Sequence, residues 1–137
     1  MKDQFIMNFP DGMPEGTAQQ KQITKTKSGK YVVYEKDKIK VTRNRLLAEL
    51  LPHRPGKVSE KPIRLIVFFA FDVKDKQKWG KYKTTRPDTD NCLKLLKDLM
   101  AGLWYKDDSQ VVDERVVKVY SEQASIMIKI EELGDRP

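Results

Sequence analysis

Apolar and polar positions repeat along this chain with two different periods. Residues 63–71, Ile-Arg-Leu-Ile-Val-Phe-Phe-Ala-Phe, are almost continuously apolar and rich in β-branched and aromatic side chains. Such a run predicts a central strand buried on both faces. Residues 5–9 are apolar enough for a first strand. Residues 22–27 alternate weakly, Ser28-Gly-Lys is a turn signal, and residues 31–34 are Tyr-Val-Val-Tyr. Together they predict a β-hairpin with a basic first arm. Residues 111–120 read as a strand whose paired valines hint at a bulge. Residues 125–130 alternate as a last strand, with residues 120–124 as the hairpin turn between the two.

Elsewhere the period lengthens to that of a helix. Ile39, Leu46, Leu47 and Leu50 share one face of residues 36–51, with Lys40, Arg43, Asn44 and Arg45 largely off it. Pro52 and Pro55 end that helix. A second apolar stripe runs through Cys92, Leu95, Leu96, Leu99 and Leu103, with Asp90, Lys94 and Asp98 on the opposite face. Pro87 suits the entry to this helix, Asp88 or Asp90 its N-cap, and Gly102 its end. The fold expected is α+β: a mixed sheet of about five or six strands with two main helices packed on it. The 137 residues suit one domain, with a fraying tail over residues 131–137.

Composition narrows the class. No apolar run approaches the length of a membrane span, and the first residues lack a signal-peptide pattern, so the cytoplasm is expected. One cysteine excludes an internal disulfide framework. The single His53, in Leu-Pro-His-Arg-Pro, has no nucleophile motif beside it and reads as an exposed connector. Net charge is +7, but unevenly spread: residues 21–86 carry 19 Lys and Arg against 6 Asp and Glu, and residues 87–137 carry 7 against 11. A basic stretch followed by an acidic one suits an enzyme that holds a polyanion and cuts it. A basic but inert surface has the same composition.

Residues 72–86 have few apolar side chains and one glycine, which predicts a mobile loop. Lys74, Lys76, Lys78, Lys81, Lys83 and Arg86 are interleaved there with Trp79 and Tyr82. That mixture suits phosphate contacts and base stacking at unpaired or branched DNA. The loop runs into Asp88 and Asp90, and a second acid pair, Asp107 and Asp108, follows the helix. Two carboxylates at one helix start repel each other, and a hard divalent cation relieves that repulsion. If the turn after Gly102 brought the second pair beside the first, four acids would converge on a metal able to drive phosphodiester hydrolysis. Lys94, one turn past Asp90, would then stabilise charge at the phosphorus. On spacing alone, a helix cap and a solvated turn explain the same acids slightly better.

The order of residues carries a sharper signal. Arg-Pro-Asp-x-Asp-Asn-x-x-Lys from Arg86, then Asp-Leu-x-x-Gly, then Tyr-x-Asp-Asp-Ser-Gln-Val-Val resembles the signature of the RusA family of Holliday junction resolvases. The close match covers about residues 86–118, with a looser one upstream. The resemblance implies that the acids meet, with Asp88, Asp90 and Asp108 as ligands of Mg²⁺ or Mn²⁺ and Asp107 adjacent. It implies Lys94 as the catalytic lysine; Asp98, on the same helix face, is placed to orient it, unless the two form a plain surface ion pair. It further implies a four-way DNA junction as substrate, a homodimer, and a phage or prophage origin. The competing expectation is a non-catalytic nucleic-acid-binding protein, or a related nuclease acting on other branched DNA.

Overall fold

The chain's most apolar strand sits inside a sheet with one well-covered face. The computed structural model describes residues 1–14, 23–25, 31–33 and 36–137. In chain order the elements are β1 (Lys2–Phe9), β2 (Ile23–Lys25), β3 (Tyr31–Val33), α1 (Lys36–Leu50), β4 (Ile63–Asp72), α2 (Thr89–Met100), β5 (Val111–Ser121) and β6 (Ala124–Glu132). The main sheet has the order β1-β6-β4-β5, with β4 and β5 parallel and the other neighbours antiparallel. It therefore holds four strands, fewer than the five or six expected. The other two, β2 and β3, form a separate antiparallel ribbon. Among the described residues each is three residues long and pairs only with the other, and strand pattern alone does not say which sheet a strand joins. The 28–30 turn lies outside the described residues.

β4 is central but is not fully buried on both faces. Ile63, Leu65, Val67 and Phe69 are buried, and the alternate residues only partly so. The buried set forms one core with Leu46 and Leu50 of α1 and Leu93, Leu95, Leu96 and Met100 of α2. Both helices thus cover the same face. Each large apolar side chain sealed there contributes about 1.5–3 kcal/mol. The stripe on α2 is turned slightly from the expected one: Leu93 and Met100 are buried, Cys92 and Leu99 only partly. Cys92 lies on the flank that faces a cleft between the two helices.

α2 is the crossover that parallel β4 and β5 require. Between β5 and β6 only Glu122 and Gln123 intervene, yet these strands do not pair, because β4 lies between them. The expected hairpin is therefore absent. Its turn passes over the end of β4, where Val73 N–H bonds the Ser121 carbonyl at 3.0 Å. The bulge is present: the β4–β5 register steps from Ile63↔Val111 to Arg64↔Asp113, leaving Val112 unpaired. β6 reaches Glu132, and Leu133 N–H bonds the Pro62 carbonyl at 2.8 Å, so a free tail begins later than residue 131. Among the described residues no helix is long and apolar enough to cross a membrane.

Candidate active site at the ends of the second helix

Asp88 occupies the N-cap position of α2 with extended backbone, but its side chain makes no capping hydrogen bond. Asp88 and Asp90 are both exposed, so their carboxylates remain uncommitted. The turn leading to them is held from β5. Lys118 Nζ donates to the Thr85 and Pro87 carbonyls, each at 2.7 Å. Lys83 Nζ donates to Thr85 Oγ1 at 2.6 Å, and the Tyr120 hydroxyl lies 3.3 Å from the same oxygen. The Lys83 ammonium also sits over the Phe71 and Tyr120 rings. Burial pushes the neighbouring Cys92 thiol up to about 11; the Lys118 charge opposes this, and Asp88 and Asp90 add to it.

The second acid pair stands at the other end of α2. Gly102, at φ +86°, turns the chain in a conformation that L side chains rarely adopt. Trp104 and Tyr105 then enter the core, and the Tyr105 hydroxyl donates to the Lys97 carbonyl at 2.8 Å. Asp107 caps the short 3-10 turn Asp108–Gln110: its carboxylate accepts from Ser109 N–H at 3.0 Å, and Gln110 Oε1 accepts from Asp107 N–H at 2.8 Å. Gln110 Nε2 ties this turn to the Ser59 and Lys61 carbonyls, each at 3.0 Å.

The two acids respond oppositely to their surroundings. The Ser109 N–H holds the Asp107 carboxyl below its ordinary range, aided by hydrogen bonds to Asp108 and the Ser109 hydroxyl. The hydrogen bond with Asp107 raises Asp108, with burial and then the charges of Asp107 and Asp98 acting the same way and Lys97 against.

Within one chain the two acid pairs do not meet. α2 has 12 residues, about 18 Å at about 1.5 Å per residue. β5 gives a second ruler. Its Lys118 contacts Pro87 at the start of α2, while its Glu114 pairs with Lys97 near the end at 3.0 Å. The charges that act on Asp108 are Asp107, Asp98 and Lys97; those of Asp88 and Asp90 act on Cys92. Among the described residues no three His, Cys, Asp or Glu side chains gather as a metal site. The pair Asp88 and Asp90 by itself fits Mg²⁺, which takes one or two carboxylates and completes its shell with phosphate oxygens and water. Lys94 is exposed, and no ion pair joins it to Asp98.

Residues 74–86 are a loop in form but are tied to β5. Gly80 N–H bonds the Tyr120 carbonyl, Tyr120 N–H the Lys81 carbonyl and Lys83 N–H the Lys118 carbonyl, all at 2.9 Å. Tyr82 and Val119 form an antiparallel bridge there. The free edge of β5 is thereby covered. Lys74, Lys76, Lys78, Lys81 and Arg86 are exposed, and Lys83 is half-buried. Tyr82 is 73% exposed. Trp79 is half-buried, and its indole N–H donates to the Val73 carbonyl at 2.9 Å.

Beside Asp88 opens a cleft of about 1100 Å³ between α1 and α2, floored by Phe69, Phe71 and Ile126 and edged by Arg45, Lys83 and Arg86. Sequence reasoning assigned no role to Lys118, Tyr120, Thr85 or Gln110. One signal was available for the first. Lys118 follows Val116 at strand spacing on the inward face, where a lysine is out of place unless something receives its charge.

Residues 11–131 match the family model described as Endodeoxyribonuclease RusA. A relative from Lactococcus phage r1t, "Crossover junction endodeoxyribonuclease rusA", is 42% identical over 137 residues, spanning 97% of this chain and 100% of that protein. "Uncharacterized protein YqaN" of Bacillus subtilis (strain 168) is 51% identical over 51 residues, 37% of this chain and 36% of that protein. The family match spans both helices, both acid pairs and the strands from β2 onward, and the chain belongs to the RusA family of endodeoxyribonucleases.

Proposed function

We propose that this protein is a metal-dependent endodeoxyribonuclease that resolves four-way DNA junctions by paired phosphodiester hydrolysis in the cytoplasm. The observation that carries the reading is the identity, over nearly the whole chain, to a phage protein named as a crossover junction endodeoxyribonuclease. Asp88 and Asp90 would hold Mg²⁺ or Mn²⁺, since both are exposed and neither spends its side chain on capping the helix. When bound, the cation supplies Lewis acidity toward the scissile phosphate and acidifies the attacking water. Lys94, one turn along α2, contributes positive charge to the phosphate as negative charge builds there. The exposed cations of residues 74–86 hold the flanking DNA, and Tyr82 offers a ring to an unpaired base.

Asp108 lies at the far end of α2, so its part in the site is best supplied across a two-fold axis. In a homodimer, Asp108 of one protomer, with Asp107 beside it, would complete the site begun by Asp88 and Asp90 of the other. Two such sites would nick the two opposed strands of a junction symmetrically.

A labelled synthetic four-way junction and a linear duplex of the same sequence test this directly. Paired nicks in the junction alone, dependent on Mg²⁺ or Mn²⁺ and abolished by chelator, are expected. Unaltered function in chelator would identify a binding protein without catalysis, and equal cutting of duplex would remove the junction from the reading.

A further inference from the structure

Asp88 and Asp90 can serve a cation only if their direction is fixed, and α2 holds Asp88 by its carbonyl alone, which accepts from Cys92 N–H at 3.0 Å. Its carboxylate does not bond the first turn of the helix, as an N-cap side chain usually does. The direction of the carboxylate therefore depends also on the backbone just before it. That backbone is held by three side chains. Lys118 takes the Thr85 and Pro87 carbonyls, and Lys83 and Tyr120 take the Thr85 hydroxyl. Lys118 and Tyr120 are two residues apart and so share one face of β5. β5 is anchored on both edges, by β4 on one side and by residues 80–83 on the other.

We propose that Lys118 is the positioning residue of this site: its ammonium clamps the 85–87 turn to β5 and so sets the direction of Asp88. The proposal rests on the reading of Asp88 and Asp90 as cation ligands. Two charge-assisted hydrogen bonds at 2.7 Å are short and directional, and they connect the rigid sheet to the residue immediately before the ligand. Packing does not account for a lysine here. The position is partly buried on the inward face, where an apolar side chain would lose less hydration. Its removal should therefore disturb the site while leaving the fold in place.

Lys118→Met keeps length and removes charge and N–H donors; Lys118→Arg keeps both. Nitrogen-15 relaxation on metal-free protein reads the clamp alone. In Lys118→Met the order parameters of Thr85, Arg86 and Asp88 should fall from about 0.85 to below about 0.6, with the rest of the sheet unchanged. Calorimetry with Mn²⁺ reads its purpose: affinity should drop about 10–100-fold, the usual effect of losing a group that orients a ligand. The melting temperature should stay within a few degrees, and Lys118→Arg should restore most of the Mn²⁺ affinity. Unchanged order parameters would overturn the clamp. So would a mobile turn with unchanged Mn²⁺ affinity. If Lys118→Met fails to fold, Tyr120→Phe removes only the hydroxyl contact to Thr85 and should shift both readings the same way, by a few-fold in affinity. If the unaltered protein binds no Mn²⁺, the cation reading of Asp88 and Asp90 fails, and the order parameters still judge the clamp.

Discussion

Asp107 and Asp108 are identical in type and adjacent in sequence, yet their surroundings act on them in opposite directions. Asp107 spends its carboxylate on the Ser109 N–H, which stabilises the ionised form. Asp108 has no such donor, and its hydrogen bond with Asp107, some burial and two nearby negative charges disfavour ionisation. An acid whose pKa is raised by folding opposes the folded state once ionised. That penalty is absent below the ordinary carboxylate range and complete above the raised value. Asp108→Asn should therefore melt no lower than the unaltered protein at neutral pH. The difference between the two should close as pH falls through the carboxylate range, in melting curves from about pH 3 to pH 7. A clear loss of stability at neutral pH would show that the Asp108 carboxylate is held by something more favourable than Asp107. The sequence made both acids visible as a pair. It could not say which is engaged, because the turn that commits Asp107 to Ser109 is anchored by Gln110 at Ser59 and Lys61, some fifty residues away.

At the scale of elements, period and punctuation located the strands and helices well, and partners were harder to read. β5 and β6 show the limit: a two-residue connection between alternating segments ordinarily means a hairpin, but β4 is more apolar than either and takes the place between them. The loop over residues 74–86 shows it again. Its polar composition says nothing about hydrogen bonds, yet its backbone pairs with β5, and its two aromatics sit differently, Trp79 half-buried and Tyr82 exposed. Trp79→Ala removes the bond to the Val73 carbonyl and should lower the melting temperature. Tyr82→Ala should leave stability intact and weaken junction binding more than duplex binding, by about 1–3 kcal/mol if the ring stacks on an opened base. Neutralising the four exposed lysines Lys74, Lys76, Lys78 and Lys81 should flatten the dependence of log affinity on log salt by up to about 0.9 for each phosphate contact. Lys83 is left out because Thr85 already holds it. An unchanged slope in a salt titration would return this loop to solvent and shift the DNA contacts to α1 and the β2–β3 ribbon.

For the whole molecule, α2 acts as a spacer. It is pinned at its start by Lys118 and at its end by the Lys97–Glu114 pair, so its two acid pairs cannot close on one another without unfolding the helix. The motif in the sequence records that both pairs belong to one signature; it carries no information about which copy of the chain supplies each. If the site forms between copies, two inactive variants can repair one another. Asp90→Asn and Asp108→Asn should each be inactive alone, and each should still bind a junction. When co-expressed, half of the dimers would be mixed. Each mixed dimer would pair one doubly damaged site with one intact site, built from Asp88 and Asp90 of the Asp108→Asn chain and Asp108 of the Asp90→Asn chain. Nicking should therefore return to about a quarter of the normal number of sites. The product should be a junction cut on one strand only, because no dimer in the mixture has two working sites. Denaturing gels of a junction labelled in turn on each strand read this directly. Continued silence of the mixture, with mixed dimers verified by mass, would mean that each protomer builds its site from its own residues, and Asp108 would lose its assigned role as a ligand beside Asp88 and Asp90.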